Sequence, residues 1–309
     1  MNSQANAIPE SFGAQPLAPA ALAPTRPFYW SVRRELWEYR SVYLAPLAFA
    51  GVNLLSFLFV LVHLPETVRN AMGLDAMQQH HAIAHPFELA AALIMGPAFI
   101  VSIFYSLDCL YGERRDRSIL FWKSLPVSDL TTVLAKATVP LVILPMLAFA
   151  ITLVTEAIML LLSSAVLVAT GQSVTAYWAV LQPFTVMGML LYHLITIHML
   201  WYAPLYSWLL LVSAWSRRTP FLWAILPPLA VGIFEKVAFH SSHFGDFVAE
   251  RVGGGREAVD SMQGDMPFHP GVHLTPGLFL SNPGLWGGLI FAAIFLVAAA
   301  RIRRSRGPI

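Results

Sequence analysis

The sequence predicts an all-α integral membrane protein with six transmembrane helices and an amphipathic helix ahead of the first. Three observations carry that prediction. Of 309 residues, 57% are apolar and only 12% charged, against roughly a quarter charged in an ordinary soluble domain. Six stretches are apolar over the ~20 residues a helix needs to cross a hydrocarbon core about 30 Å thick. Basic residues concentrate in alternate connections, the pattern expected when Lys and Arg stay on the cytosolic side. The single cysteine, Cys109, excludes an internal disulfide, and a net charge of +2, with the basic residues sorted by side of the membrane, gives no sign of a nucleic-acid partner.

Residues 1–27 carry Pro9, Pro16, Pro19, Pro24 and Pro27 among Ala, Ser and Gln. Such a composition buries no core and predicts a disordered cytosolic tail. With no Lys or Arg before Arg26 and no apolar run, no cleaved signal peptide is expected, and the first span acts as the insertion signal. In residues 28–40, Val32, Leu36, Tyr39 and then Tyr43 recur at helical spacing, with Arg33, Arg34 and Glu38 opposite and Tyr29, Trp30 and Trp37 suited to the headgroup region. This reads as a helix lying in the membrane surface; the alternative is a plain flank of the first span.

The spans are placed at about 43–64, 88–108, 137–162, 184–211, 219–239 and 278–300. Pro227-Pro228 predicts a kink or break in the fifth, because two backbone donors are missing. With both termini in the cytosol, 15 of the 19 basic residues fall inside and only Arg69, Lys236, Arg251 and Arg256 outside. One span more or fewer would break that alternation, so the expected location is the cytoplasmic membrane, multi-pass. The outer segment 241–282, with Gly253, Gly254 and Gly255 and several prolines, is long enough to be functional or mobile. Its residues 268–280 read either as a short re-entrant element or as an exposed disordered loop.

Between the second and third spans, residues 110–136 form a charged loop. It runs Glu113-Arg114-Arg115-Asp116-Arg117, then Ile119-Leu120-Phe121-Trp122, a turn at Pro126, and Ser128-Asp129 as a helix start before Lys136. Ser128 is a good N-cap for the helix leading into the third span. A bare reading makes this a solvated loop that only sets topology; a sharper one makes it a docking surface for a soluble partner.

Glu113-Arg114, the apolar run, Pro126-Val127-Ser128 and Val133-Leu134-Ala135-Lys136 resemble the cytosolic loop of ABC-2-type permeases, the membrane subunits of ATP-binding-cassette exporters. The family pattern is roughly E-R-x-x-G-T-L, an apolar stretch, P-x-S and a closing G-K. Here Arg117, Ser118, Ile119 and Ala135 stand where Gly, Thr, Leu and Gly are usual. All four changes are expected to be tolerated as helix-interior positions, where Gly costs about 1 kcal/mol relative to Ala.

The resemblance implies the architecture of a surface helix, six spans and a longer outer segment between the last two. It also implies that the loop is a coupling helix seated in a groove of an ATPase subunit. Glu113, Arg114, Arg115, Asp116 and Arg117 would then supply ion pairs within the helix and across to the ATPase, and Phe121, Trp122 and Pro126 the apolar anchors and turn. No G-x-x-x-x-G-K-[ST] motif occurs, so ATP and Mg²⁺ belong on the partner ATPase, with no cofactor in this chain and no enzymatic activity of its own. The implied assembly has a second permease copy, identical or homologous, two ATPase subunits and the lipid bilayer.

Ionisable residues within spans are functional candidates because they are costly there. Glu156 either reaches headgroup water or lines the translocation pathway. His193 and His198, five apart, do not share a helix face well; each reads as a neutral histidine bonded between helices or, if paired with Glu156, as part of a substrate or proton site. Of the ten histidines, eight fall at or beyond the outer edge, and His81 and His85 have the i, i+4 spacing that can hold a metal. No cysteine accompanies them, so no metal site is assigned.

Three function classes follow. An ATPase-coupled exporter subunit fits the loop. An ion-coupled secondary carrier would need coupling residues buried midway, where only His193 and His198 qualify, and no inverted repeat is visible. An intramembrane enzyme would need a motif such as H-E-x-x-H or G-x-S-x-G, and neither is present.

Overall fold

The computed structural model describes residues 26–253 and 276–309. Nearly all of the expected tail, the segment 254–275 with Arg256, His269 and His273, and most of the expected re-entrant element lie outside the described residues. Every regular element among the described residues is helical.

In chain order these are α1 (Pro27–Glu38), α2 (Ser41–Ala71), α3 (Ala76–Asp108), α4 (Tyr111–Arg115), α5 (Ile119–Ser124), α6 (Asp129–Thr138) and α7 (Leu144–Ala169). They are followed by α8 (Val174–Leu181), α9 (Pro183–His193), α10 (Ala203–Trp215), α11 (Pro220–Phe239), α12 (His243–Val252), α13 (Pro276–Ser281) and α14 (Pro283–Ser305). Two π-helical segments, Val139–Ile143 and Leu194–Trp201, join α6 to α7 and α9 to α10. Each lies close to prolines: Pro140 and Pro145 at the first, Pro204 just past the second. A missing N–H interrupts the ordinary ladder and favours the wider register.

Six helices are long and apolar enough to cross a membrane, in agreement with the expected count: Ser41–Ala71, Ala76–Arg115, Asp129–Ala169, Val174–Trp201, Pro220–Phe239 and Pro283–Ser305. Boundaries differ where caps decide them. The second begins at Ala76 rather than residue 88, because Asp75 caps it by accepting a hydrogen bond from the Gln78 amide at 2.9 Å. The sixth begins at Pro283 rather than residue 278, because Asn282 accepts from the Gly284 amide at 2.8 Å and Pro283 supplies the preset first turn. The fourth joins α8, α9 and the second π segment and ends at Trp201, rather than covering 184–211, and α10 follows it as a separate, shorter apolar helix.

Of the kink or break expected at Pro227-Pro228, the break does not occur: α11 runs as one helix from Pro220 to Phe239. Pro228 has no amide to offer the carbonyl of Ala224. The indole of Trp208 on α10 donates to that carbonyl instead, at 3.0 Å. An orphaned acceptor in a membrane helix is thus satisfied by a neighbouring helix.

Inward faces read at helical spacing. On α2, Val42, Pro46, Ala50, Asn53 and Phe57 are buried, while Leu55, Phe59 and Val62 point outward. The main core joins α2, α3, α6, α7, α10 and α14 through Ala50, Ala98, Ala137, Ala148, Ala214 and Ala299. Small side chains let backbones approach closely, which matters where lipid removes the hydrophobic drive for helix association. A second core of Phe57, Phe87, Met159, Leu167 and Tyr177 packs α2, α3, α7 and α8 at the other end of the bundle.

Candidate functional site

The charged loop, α1, the start of α6 and the end of α14 converge at one end of the bundle, where six ionised side chains form one cluster. Lys136, fully buried, donates from Nζ to both carboxylate oxygens of Glu35 at 2.9 Å. The same ammonium lies 3.1 Å from Glu113 Oε1. Arg34 Nη2 reaches that oxygen at 2.8 Å, and Arg303 Nη2 reaches Glu113 Oε2 at 3.2 Å. Arg303 also binds Asp129, and Arg34 binds Glu35. Three carboxylates and three cations therefore balance, so that mutual attraction and hydrogen bonds offset the desolvation that burying these charges costs. The Tyr105 hydroxyl adds a hydrogen bond to Glu35 Oε2 at 2.9 Å.

Local structure delivers these groups. Ser128 caps α6 by accepting from the Thr131 amide at 3.0 Å, as its sequence position predicts, and so aims Lys136 inward two turns later. Leu110 and Tyr111, at the start of α4, donate their amides to Ser213 Oγ on α10 at 3.1 and 2.9 Å. Arg114 donates to the carbonyls of Ala214 and Ser216 at 2.6 and 3.0 Å, closing the C-terminus of α10, where a cation is favoured. Lys123 caps the end of α14 through the carbonyls of Arg304 and Arg306 at 3.3 and 3.0 Å.

Electrostatics at the edge follow from the same charges. Burial opposes the charge on Arg34, but Glu35 and Glu113 beside it outweigh burial and hold its pKa above the usual value. Partial desolvation, with Glu35 and Glu113 nearby, raises the Glu38 carboxyl against the pull of Lys136 and Arg34, although its side chain is 41% exposed and solvent screens the effect. Burial, with Cys109 and Asp108 nearby, pushes the Tyr39 phenol far up, so it stays neutral.

The loop residues expected to meet a partner divide into two sets. Glu113 and Arg114 turn inward, 2% and 3% exposed, and their partners lie in this chain. Arg115, Asp116, Arg117, Phe121 and Pro126 are exposed, and Trp122 is half-buried beneath the Arg34 guanidinium, 4.0 Å from its ring centroid. The expectation that Arg117 sits in a helix interior is corrected. Two short helices meet there, and Arg117 takes a left-handed backbone with φ of +60°. That conformation suits glycine because a Cβ crowds the following carbonyl. Ser118 is likewise not interior but precedes α5 at its N-terminus; Ile119 and Ala135 are helical.

A second cluster lies at the opposite end. Glu156 faces a cavity of about 30 Å³ shared with Glu88 and His80 of α3, and His193 and His198 do not line it. His193 Nδ1 is 3.2 Å from the Met189 carbonyl of its own helix, and the His198 ring stands edge-on to Phe99 and Tyr202. The rings of exposed His81 and His85 are 5.9 Å apart, and no group of three metal-ligating side chains occurs among the described residues.

Glu35, Arg34, Lys136, Asp129 and Arg303 escape the sequence reading as site residues. One signal was available: Glu35 falls between Val32 and Tyr39 on the apolar stripe of α1, where an unpaired carboxylate would be costly. Comparison with protein-family models, with curated proteins and with solved structures finds no match for this chain.

Proposed function

We propose that this chain is the permease subunit of an ATP-energised exporter, and that a separate ATPase grips the turn between α4 and α5. One observation carries the reading. The turn presents Arg115, Asp116, Arg117, Leu120 and Phe121 outward, while its inner side is tied through Glu113, Arg114 and Lys123 to α1, α6, α10 and α14. A push on such an element reaches several spanning segments at once, because a neutral buried ion cluster and capped helix ends resist deformation.

The resemblance to ABC-2-type permeases supports the same reading. The family's glycine in this loop corresponds to Arg117, the residue with left-handed backbone. In this proposal the charged end faces the cytosol of a cytoplasmic membrane with both termini on that side, as the basic residues suggest. Helix α1 lies at the interface with Tyr29, Trp30 and Trp37 exposed to headgroups, ATP and Mg²⁺ sit on the partner, and a second permease copy completes the pathway. Among the described residues, helix α11 buries only Ala224, leaving an apolar surface for lipid or that second copy.

The test is co-expression with the P-loop ATPase encoded nearest to this reading frame, followed by affinity purification from detergent. Wild type should retain the ATPase. Arg115→Glu with Arg117→Glu, and separately Phe121→Ala, should lose most of it while the permease still purifies as a folded protein. No retained ATPase with wild type, or equal retention by all variants, rejects the docking site.

The second reading, an ion-coupled carrier, is favoured by the buried Glu88 and Glu156 around one cavity. ATP-independent uptake by the purified chain alone in vesicles would establish it instead.

A further inference from the structure

Helix α8 stops at Leu181, and Gln182 takes a left-handed backbone with φ of +44° before Pro183 begins α9. Pro183 has no amide, so the end of α8 keeps unsatisfied carbonyls. The His80 ring takes one of them: its Nδ1 lies 2.9 Å from the Val180 carbonyl and therefore carries the proton it donates. The break leaves a cavity beneath it, walled by α3, α7, α8 and α9, of about 30 Å³. That is room for one or two water molecules, or for a ligand of two or three heavy atoms.

Three of the lining side chains are ionisable and all three are at least nine-tenths buried: Glu156 at 6% exposure, His80 at 7% and Glu88 at 8%. The remaining lining, including Phe87, Leu160 and Leu190, is apolar. Among the described residues, Glu88 Oε2 has no hydrogen-bond partner and neither carboxylate pairs with a Lys or Arg. The contrast with the other end of the bundle is sharp, since there each of the three clustered carboxylates meets a cation. Two carboxylates in one apolar cavity cannot both hold charge unless a cation joins them. The apolar walls disfavour a strongly hydrated inorganic ion and suit a cation that carries its own hydrocarbon.

We propose that this cavity is a binding site for a small primary ammonium cation, its charged end between Glu88 and Glu156 and its carbon atoms against Phe87, Leu160 and Leu190. Binding belongs to this chain alone and goes beyond the exporter reading. It needs no ATPase, so it can fail or succeed without touching the docking result.

The experiment uses the full-length purified protein in lipid nanodiscs, with ethylammonium as the probe. Ethanol serves as its uncharged counterpart and sodium as the inorganic competitor. Ligand-detected NMR saturation transfer reads binding. A three-heavy-atom ligand reaches at best a dissociation constant on the order of 1 mM. Ethylammonium should bind in that range and at least about tenfold more tightly than ethanol, the difference expected of charge pairing. Glu156→Gln and Glu88→Gln keep the side-chain shape, and each should weaken ethylammonium about tenfold or more while leaving ethanol unchanged.

Equal binding of ethanol and ethylammonium by wild type overturns the proposal even if neither variant folds. Unchanged ethylammonium binding in both folded variants also overturns it. So does displacement by sodium at concentrations below those of the probe, which would make the site one for an inorganic ion.

Discussion

Lys136 offers the most direct test of the ion cluster. Its ammonium makes three contacts to carboxylate oxygens, at 2.9, 2.9 and 3.1 Å, with no exposed surface. Lys136→Met removes the charge but fills much of the space, leaving Glu35, Glu113 and Asp129 against Arg34 and Arg303, one uncompensated negative charge. Breaking a buried pair from one side costs about 3–5 kcal/mol, consistent with two or three charge-assisted hydrogen bonds at roughly 1.5–3 kcal/mol each, less the desolvation relieved. Glu35→Gln leaves the cluster one positive charge in excess and should cost a similar amount. The double variant is neutral again, so it should be no less stable than either single one. Equilibrium unfolding in mixed detergent micelles, followed by tryptophan fluorescence, measures all four proteins, and the cycle gives the coupling directly. Two single effects that simply add, or a Lys136→Met cost below about 1 kcal/mol, the scale of a surface pair, would refute the view that this cluster ties the loop to the bundle.

The remaining predictions concern single positions. Arg117→Gly relieves a left-handed backbone and should raise stability by about 1 kcal/mol, read as a higher unfolding midpoint. Trp208→Phe strips the Ala224 carbonyl of its donor and should cost about 1–3 kcal/mol in the same assay. Gly288→Ala would place a Cβ 2.5 Å from the Arg251 guanidinium, which is held on the Trp201 and Gly284 carbonyls. Displacing it should lower the midpoint by an amount equivalent to about 1–3 kcal/mol. Glu38 has a folded pKa above its ordinary value, so its contribution is full below that ordinary value and is lost as pH rises through the folded one. Because the Glu38 side chain is 41% exposed and solvent screens the effect, Glu38→Gln should melt only slightly higher than wild type near neutral pH, with the difference vanishing near pH ~4. A gap that widens on acidification would contradict the assignment.

Composition and local pattern determined the class, the number of candidate crossings and the sorting of basic residues, because bilayer thickness, helical rise and the cost of charge in hydrocarbon act on contiguous stretches. Ser128 as a cap was legible for the same reason, since a cap is an interaction within four residues. Arg117 was misjudged because a backbone dihedral set by the junction of two helices leaves no mark on composition. Continuity of α11 through two prolines was equally invisible, since the donor that permits it comes from Trp208 on another helix.

Tertiary structure alone decided which charges meet. Lys136 finds Glu35 across 101 positions of sequence, and Glu113 finds Arg303 across 190. Glu156 shares its cavity with Glu88 and His80 rather than with His193 or His198, because α7 packs on α3 there. A charge's sign and its place between apolar stretches follow from the local chain; its partner follows from which helix faces touch, and only packing sets that.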